Sequence, residues 1–277
     1  MSFRFYYKQI INKHYDQIEI NQNDKKNNDE LKPIFIVGLP RSGSTLIESI
    51  LRSSKENLKS SGECNVINGS VLEQIGPKIY IKNFDIDNFK FEIDQKKLVE
   101  STLKRYQQLN FIDGNKNQIF IDKSLENIFN IEIILNIFPK AKFLHTFRNP
   151  IDSFFSIYQS MLPQLAWTHS FEDILDYMDN YYKVIAYFKK KYPDAIMDIK
   201  LENFTESAEK STKEIYKFCN LTWSKDSLNF YKRTDLISKT LSSAQIRNEV
   251  LKYDNKKYEP YIYSLDNFRK NYKWINY

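Results

Sequence analysis

Short apolar runs alternate along the chain with longer segments in which apolar residues recur every three or four positions. The first run, Ile34 to Gly38, is apolar throughout and ends in glycine, as is typical of a buried parallel strand. Later runs predict further strands at Ile119 to Asp122, Lys142 to Phe147 and Ile196 to Leu201. Each strand is followed by a predicted helix: from about Ser44, from Leu125 to Phe138, from about Ile151, and from Ser207 to Phe218.

This alternation of strand and helix predicts an α/β fold with a parallel sheet that is covered by helices on both faces. Near the C-terminus, the spacing of apolar residues predicts a closing amphipathic helix; these residues are Tyr258, Tyr261, Ile262, Leu265 and Phe268. In open parallel sheets, ligands bind at the carboxyl ends of the strands. The side chains that follow the strands are therefore the candidates for a functional site.

A polar stretch separates the beginning of the chain from this pattern. Residues 21–30 read NQNDKKNNDE and contain no apolar residue, which is typical of a linker. Before it, an apolar spacing predicts a short helix, with Tyr7, Ile10, Ile11, His14 and Ile18 on one face. We therefore predict an N-terminal helix and polar linker over residues 1–32, and one domain over residues 33–277.

Composition narrows the class of protein. Hydrophobic residues make up 42% of the 277 positions, which is ample for a packed core, yet the apolar runs are far shorter than the roughly 20 residues of a membrane span. The N-terminus has no signal-peptide pattern, and the two cysteines, Cys64 and Cys219, provide neither a disulfide framework nor a metal-ligand cluster. We expect a cytoplasmic protein that binds no membrane.

The charge is modest, because 41 basic residues are nearly matched by 35 acidic residues, for a net charge of +6. This balance does not indicate nucleic-acid binding, and it is compatible with a small anionic ligand.

The loop after the first strand, LPRSGST, is P-loop-like. A strand that turns through glycines into a helix N-terminus directs backbone N–H groups and a helix dipole at one point, where an anion binds. Ser42, Ser44 and Thr45 add hydroxyl donors, and Arg41 adds a planar cation.

Yet position 44 is serine, where the P-loop pattern places the lysine that contacts the phosphates of ATP. The nearest candidate for a magnesium ligand is Asp122, and it is not a convincing one, so the sequence argues against an ATPase or kinase.

An ordered set of motifs resembles the sulfotransferases that use 3′-phosphoadenosine 5′-phosphosulfate. The set consists of PRSGSTL after the first strand and FRNPIDSFFSIY after a later one. More narrowly, PIFIVGLPRSGSTLIESIL, SSGE, DKSLENI and Gln-Ile-Arg near the C-terminus are similar to tyrosylprotein sulfotransferases and to bacterial tetratricopeptide-linked sulfotransferase domains. The resemblance covers about Pro33 to Phe268. It also suggests that the N-terminal helix is a remnant of helical repeats.

The resemblance assigns the donor-binding residues. Arg41, Ser42, Gly43, Ser44 and Thr45 correspond to the loop that holds the 5′-phosphate and the sulfuryl group, and this donor implies neither the P-loop lysine nor a metal ion.

The second motif resembles the family's binding site for the 3′-phosphate, which consists of an arginine and a serine eight residues apart. Here these residues are Arg148 and Ser156. The alternative for these two residues is a surface ion pair of Arg148 with Asp152 and an ordinary helix serine.

The resemblance also assigns the residues next to the reacting atoms. Glu63 matches the glutamate that takes the proton of the acceptor hydroxyl, although Asn65 stands where the tyrosylprotein enzymes have arginine. Lys123 matches a lysine that faces the transferring group and neutralises charge on the leaving oxygen. The alternatives are a solvated loop glutamate and a lysine that extends from the strand end into solvent.

The C-terminal match is weaker. Ser242 matches a serine near the reacting group, Gln245 and Arg247 fall in a loop that closes over the donor, and Lys257 matches a lysine that binds it. An ordinary surface loop would also explain this segment. Leu201 stands where many relatives have a tyrosine that contacts adenine.

The sequence therefore predicts a sulfotransferase that moves a sulfuryl group to an acceptor hydroxyl of a peptide tyrosine, a glycan or a small alcohol. Two alternatives stay open: a P-loop kinase or ATPase, and an inactive nucleotide-binding module. A homodimer also stays open. His145, in the middle of a strand, is expected to be an interior histidine with satisfied hydrogen bonds rather than a catalyst.

Overall fold

A computed structural model describes residues 30–60, 62–79, 92–113, 118–233, 248–254 and 256–276, together with Tyr15, residues 19–20, Asn28 and Asp85. The predicted N-terminal helix falls almost wholly outside these residues. The last positions before the polar stretch, Glu19–Ile20, form a short strand.

Seven strands are defined within the described residues. In chain order they are β1 Glu19–Ile20, β2 Ile34–Gly38, β3 Lys59–Ser60, β4 Glu92–Ile93, β5 Phe120–Asp122, β6 Lys142–Phe147 and β7 Ile196–Lys200. Five of them form a sheet of order β3-β5-β2-β6-β7, in which every neighbouring pair is parallel. The strands β1 and β4 form a separate parallel pair.

Helices connect the strands. The α-helices are α1 Ser44–Arg52, α2 Val66–Ile79, α3 Gln95–Gln108, α4 Ile131–Ile137, α5 Pro150–Ser160, α6 Phe171–Lys191, α7 Leu201–Glu206 and α8 Ala208–Phe218. The 3₁₀ segments are Leu125–Asn130, Ala166–His169, Lys225–Lys232, Glu259–Phe268 and Lys273–Asn276. No helix of the described ranges is both long enough and apolar enough to cross a membrane.

The two faces of the sheet bury separate hydrophobic cores, because successive side chains of a strand point to opposite faces. Phe35 and Val37 of β2 join the larger core, which includes buried residues of α2 to α6. Ile34 and Ile36 join the smaller core with residues of α1, α7 and α8. Helices therefore cover both faces, which confirms the predicted fold class.

The carboxyl ends of the central strands lie side by side. Gly38 of β2 is in register with Thr146 of β6, which is in register with Ile199 of β7. The loop before α1, the loop before α5 and the start of α7 therefore meet at this edge of the sheet. This arrangement brings the predicted site residues together.

Two predicted helices differ in the structure. The segment predicted as one helix over Leu125 to Phe138 is a 3₁₀ turn followed by α4, because Asn130 departs from helical geometry (φ −115°, ψ 16°). The closing helix is a 3₁₀ segment, Glu259–Phe268. The helices α2, α3 and α7 and the two-residue strands β1, β3 and β4 were not predicted.

Candidate active site

The loop after β2 has the geometry of an anion site. Arg41 and Gly43 have positive φ (66° and 93°), so the backbone curls around the start of α1. The residue that caps this helix is Gly43, which makes no side-chain capping bond. Buried Ser42 bonds Thr146 of β6, with 2.7 Å between the two hydroxyl oxygens. The wrapped backbone and the helix N-terminus therefore point at one place, as the sequence predicted.

Gly38 is required by close packing against backbone, and Gly43 is favoured by its positive φ of 93°. A Cβ atom at Gly38 would lie 2.3 Å from the backbone oxygen of Thr146. A Cβ atom at Gly43 would lie 2.7 Å from a terminal methyl carbon of Leu201, at the start of α7. Leu201, which stands where relatives have tyrosine, thus packs directly over the loop.

Arg148 supplies a second cation at the same rim. It follows β6 and lies near Arg41. Burial lowers the pKa of Arg41, and the like charge of Arg148 lowers it further. The Arg148 Nε atom is buried and has no hydrogen-bond partner in the described structure. Two neighbouring guanidinium groups repel each other, and an anion between them would relieve that repulsion and provide the missing acceptor.

Arg148 does not form the surface ion pair with Asp152 that was the alternative for it. Its Nη2 atom donates instead to the backbone oxygen of Asp152, at 2.7 Å. The Asp152 carboxylate accepts a hydrogen bond from the hydroxyl of Tyr253. Glu202 of α7 accepts from the backbone N–H of Asn149 at 2.6 Å and so fixes the turn that carries Arg148.

Lys123 and Glu63 lie together, although they are distant in the sequence. Lys123 follows β5, and its Nζ atom lies 3.1 Å from Oε1 of Glu63. The Lys123 side chain is only 1% exposed, so the alternative of a lysine that extends into solvent is wrong. Glu63 is 47% exposed, and an incoming molecule can therefore reach its carboxylate.

A second carboxylate, from Glu48 of α1, faces the same ammonium group. Its Oε2 atom lies 3.9 Å from Lys123 Nζ, and its side chain is 7% exposed. Its Oε1 atom accepts a hydrogen bond of 2.5 Å from Ser60 of β3. Glu48 was not among the predicted site residues, although the apolar pattern places it on the first helix after the phosphate loop.

Asp122 holds the loop that carries Glu63. This fully buried carboxylate accepts hydrogen bonds from the Tyr106 hydroxyl at 2.6 Å, from the Cys64 thiol at 3.3 Å and from the backbone N–H of Ser124 at 2.8 Å. Burial and the Asp122 carboxylate raise the pKa of Cys64. Asp122 is therefore occupied by donors from within the protein, which argues against its use as a magnesium ligand.

The remaining predicted residues are placed as follows. Ser44, Thr45 and Ser156 are buried, Ser156 on the helix that begins just after Arg148. Lys257 is exposed beside Tyr258, whose ring stacks on Phe155 of α5 at 5.8 Å between centroids. Ser242, Gln245 and Arg247 lie outside the described residues, so their assigned roles stay predictions.

His145 is an interior residue, as expected. Its Nδ1 atom lies 2.7 Å from Oδ1 of Asp198, and its Nε2 atom is hydrogen-bonded to the Tyr181 hydroxyl. Burial lowers the pKa of His145, although the Asp198 carboxylate opposes this effect. The described part of the chain holds no cluster of three His, Cys, Asp or Glu side chains that could bind a metal ion.

A parallel sheet with a phosphate loop and a second arginine at its carboxyl edge defines a class of anion-binding α/β proteins. The model of the sulfotransferase family matches residues 33–225. The chain therefore belongs to the sulfotransferase family, which confirms the resemblance drawn from its motifs.

Two similar proteins illustrate this placement. An uncharacterized protein of Aquifex aeolicus is 28% identical over 242 residues, which cover 83% of this chain and 31% of that protein. The chain thus spans about a third of the length of this relative. The sulfotransferase domain of the Synechococcus PCC 7002 olefin synthase has the same fold, with a TM-score of 0.60 and 17% identity, over 86% of this chain and 90% of that domain.

Proposed function

We propose that this protein transfers a sulfuryl group from 3′-phosphoadenosine 5′-phosphosulfate to the hydroxyl group of an acceptor. The observation that carries the proposal is the contact between Lys123 and Glu63, a cation and a reachable base, at the strand edge that also holds the phosphate loop. The acceptor class stays open among peptide tyrosine, glycan and small alcohol. The cytoplasmic location and a homodimer stay predictions.

The residues present fit this donor. The 5′-phosphosulfate would lie in the loop of Arg41 to Thr45, against the N-terminus of α1. The 3′-phosphate would lie at Arg148, whose buried Nε lacks an acceptor within the described chain. Ser156, Gln245, Arg247 and Lys257 would complete the donor site. When bound, the donor supplies an activated sulfuryl group on a phosphate leaving group.

The protein's own groups then have separate tasks. Glu63 accepts the proton of the acceptor hydroxyl, since its carboxylate is half exposed beside the site. Lys123 and Arg41 neutralise the negative charge that remains on the phosphate. The family resemblance assigns Ser242, outside the described residues, to the reacting group. A positioned base typically contributes about 10²–10⁴-fold to the rate.

The kinase or ATPase alternative is disfavoured by two observations. Position 44 is serine, and Asp122 is fully buried among hydrogen-bond donors. The inactive module is disfavoured by the pairing of Lys123 with Glu63, because a module that only binds the nucleotide has no need of a base and a cation at that point.

The test has two arms. Adenosine 3′,5′-bisphosphate should raise the melting temperature, because a ligand at about a hundred times its Kd stabilises the folded state by about 2.7 kcal/mol. ATP with magnesium should raise the melting temperature much less. A larger rise with ATP than with the bisphosphate would contradict the proposal. The second arm offers ³⁵S-labelled donor with tyrosine peptides, glycans and small alcohols in turn, so that the labelled product identifies the acceptor class.

A further inference from the structure

In the described segment 248–254, one side chain lies over Arg148. Tyr253 in this segment places its ring over the Arg148 guanidinium, with 5.8 Å from Cζ to the ring centroid. Its backbone N–H donates to the hydroxyl of Thr205 on α7, at 3.2 Å. Its hydroxyl donates to the carboxylate of Asp152 on α5. Tyr253 therefore connects three elements around one arginine.

The Asp152 carboxylate is a potential competitor for the Arg148 guanidinium. Asp152 lies four residues after Arg148, and its backbone oxygen is already bonded to Arg148 Nη2. A free carboxylate at this distance would attract the guanidinium and occupy the donors that an incoming phosphate needs. In the structure the Asp152 carboxylate accepts a hydrogen bond from the Tyr253 hydroxyl, and the buried Nε atom of Arg148 has no hydrogen-bond partner in the described chain.

The charged groups around Asp152 affect its pKa. Glu202 and Asp254 add negative charge, which with burial raises the pKa of Asp152, while Arg148 and the Tyr253 hydroxyl oppose the rise. Asp152 thus lies in a region of negative charge beside Arg148, and the two side chains form no ion pair in the described chain.

We propose that Tyr253 is a positioning residue that holds Asp152 away from Arg148 and fixes the guanidinium for the 3′-phosphate of the donor. The inference rests on the proposed function and deepens it. Tyr253 does not need to touch the donor, since it acts through Asp152 and through the face of the guanidinium. It would determine how strongly the site distinguishes a 3′-phosphorylated adenylate from one without that phosphate.

The experiment compares two ligands that differ only in the 3′-phosphate. Titration calorimetry measures the Kd of adenosine 3′,5′-bisphosphate and of adenosine 5′-monophosphate for the parent protein, Tyr253→Phe and Tyr253→Leu. We expect Tyr253→Phe to bind the bisphosphate about twofold to tenfold more weakly, because the released Asp152 carboxylate then competes with the 3′-phosphate for Arg148. Tyr253→Leu also removes the ring and should bind it about fivefold to fiftyfold more weakly. Monophosphate binding should change in neither variant.

A double variant tests the role of Asp152. In Tyr253→Phe/Asp152→Asn the released side chain carries no charge and cannot neutralise Arg148, so bisphosphate affinity should return toward the parental value. Tyr272→Phe is the matched control, because it removes a tyrosine–carboxylate bond of 2.5 Å, to Asp176 on α6, and should leave both affinities unchanged. A merely structural role for Tyr253 would predict equal losses for both nucleotides and no rescue by Asn.

The outcomes separate this inference from the proposed function. If the parent binds the bisphosphate no better than the monophosphate, the proposed donor is wrong. If the parent prefers the bisphosphate and Tyr253→Phe keeps the whole preference, only the role of Tyr253 is wrong. Should Tyr253→Phe fold poorly, Asp152→Asn alone decides, because the proposal expects it to bind the bisphosphate at least as tightly as the parent.

Discussion

Replacing Lys123 by methionine should destabilise the protein through the carboxylate that it leaves behind. Methionine is unbranched and fills the space of the four-carbon stem of lysine without its ammonium group. The change removes the ammonium group that lies 3.9 Å from Glu48 and 3.1 Å from Glu63. Both carboxylates then lack their common cation.

The two carboxylates should contribute very differently to the loss of stability. Glu63 is 47% exposed, so water screens its charge and its bond to Lys123 contributes little. Glu48 is 7% exposed and becomes a buried anion without a cation. Removing one partner of a buried pair costs about 3–5 kcal/mol, which for a chain of this size lowers the Tm by roughly 6–20 °C.

Thermal and urea unfolding of four proteins measure this effect at neutral pH. The proteins are the parent, Lys123→Met, Lys123→Met/Glu48→Gln and Lys123→Met/Glu63→Gln. The double variant with Glu48→Gln should recover most of the lost free energy of unfolding, since it removes the isolated charge. The double variant with Glu63→Gln should recover little. A Lys123→Met protein that melts like the parent, or equal recovery by the two double variants, would refute the reasoning.

Three further predictions concern binding, rate and pH. Arg148→Ala should weaken adenosine 3′,5′-bisphosphate binding by about ten- to a hundredfold in calorimetry, because charge-assisted bonds of roughly 1.5–3 kcal/mol are lost, whereas equal losses for adenosine 5′-monophosphate would contradict its role. Glu63→Gln should lower kcat by about 10²–10⁴-fold while the bisphosphate-induced rise in Tm persists, and a parental rate would exclude it as the base. Because the pKa of His145 is lowered in the fold, the unfolded chain takes up the proton first as pH falls through about 6.5, so the free energy of unfolding should decrease towards pH 5. That decrease should flatten in His145→Gln, and an unchanged slope would contradict this account.

Four of the five strands of the main sheet and the phosphate loop were predictable because their signals are local; the two-residue strand β3 carries no such signal. A parallel strand that is buried on both faces appears as a continuous apolar run, and the bounds predicted for Ile34 to Gly38 and Lys142 to Phe147 match the structure. The phosphate loop is recognisable from its own short sequence. In the structure Arg41 and Gly43 have the positive φ angles that its curled backbone requires. No distant contact is needed to recognise either feature.

The helix α2 was missed because its sequence contains turn signals. Gly69, Gly76 and Pro77 all lie within it, and each favours a break in isolation. Val71 and Ile75 are fully buried in the larger core, so tertiary packing outweighs the local preference.

The supporting carboxylates were missed for a different reason. Glu48 looks like an ordinary polar residue next to apolar ones, and Asp122 was considered only as a magnesium ligand. A charged residue is normally exposed, so the sequence does not suggest a buried supporting role for either. Their burial depends on partners that are far away in the sequence: Lys123 and Ser60 for Glu48, and Tyr106 and Cys64 for Asp122. Only the assembled sheet brings these groups together.

The unequal exposure of the two carboxylates around Lys123 explains why the site has both. In the proposed reaction Glu63 has to accept a proton while Lys123 faces the leaving phosphate, so their contact of 3.1 Å has to open. A buried ammonium that lost its sole counter-ion would be strongly destabilised. Glu48 remains beside Lys123 and is held by Ser60, so the lysine keeps one anion when Glu63 is engaged by the acceptor. The buried carboxylate therefore stabilises the cation, and the exposed one is free to act as the base.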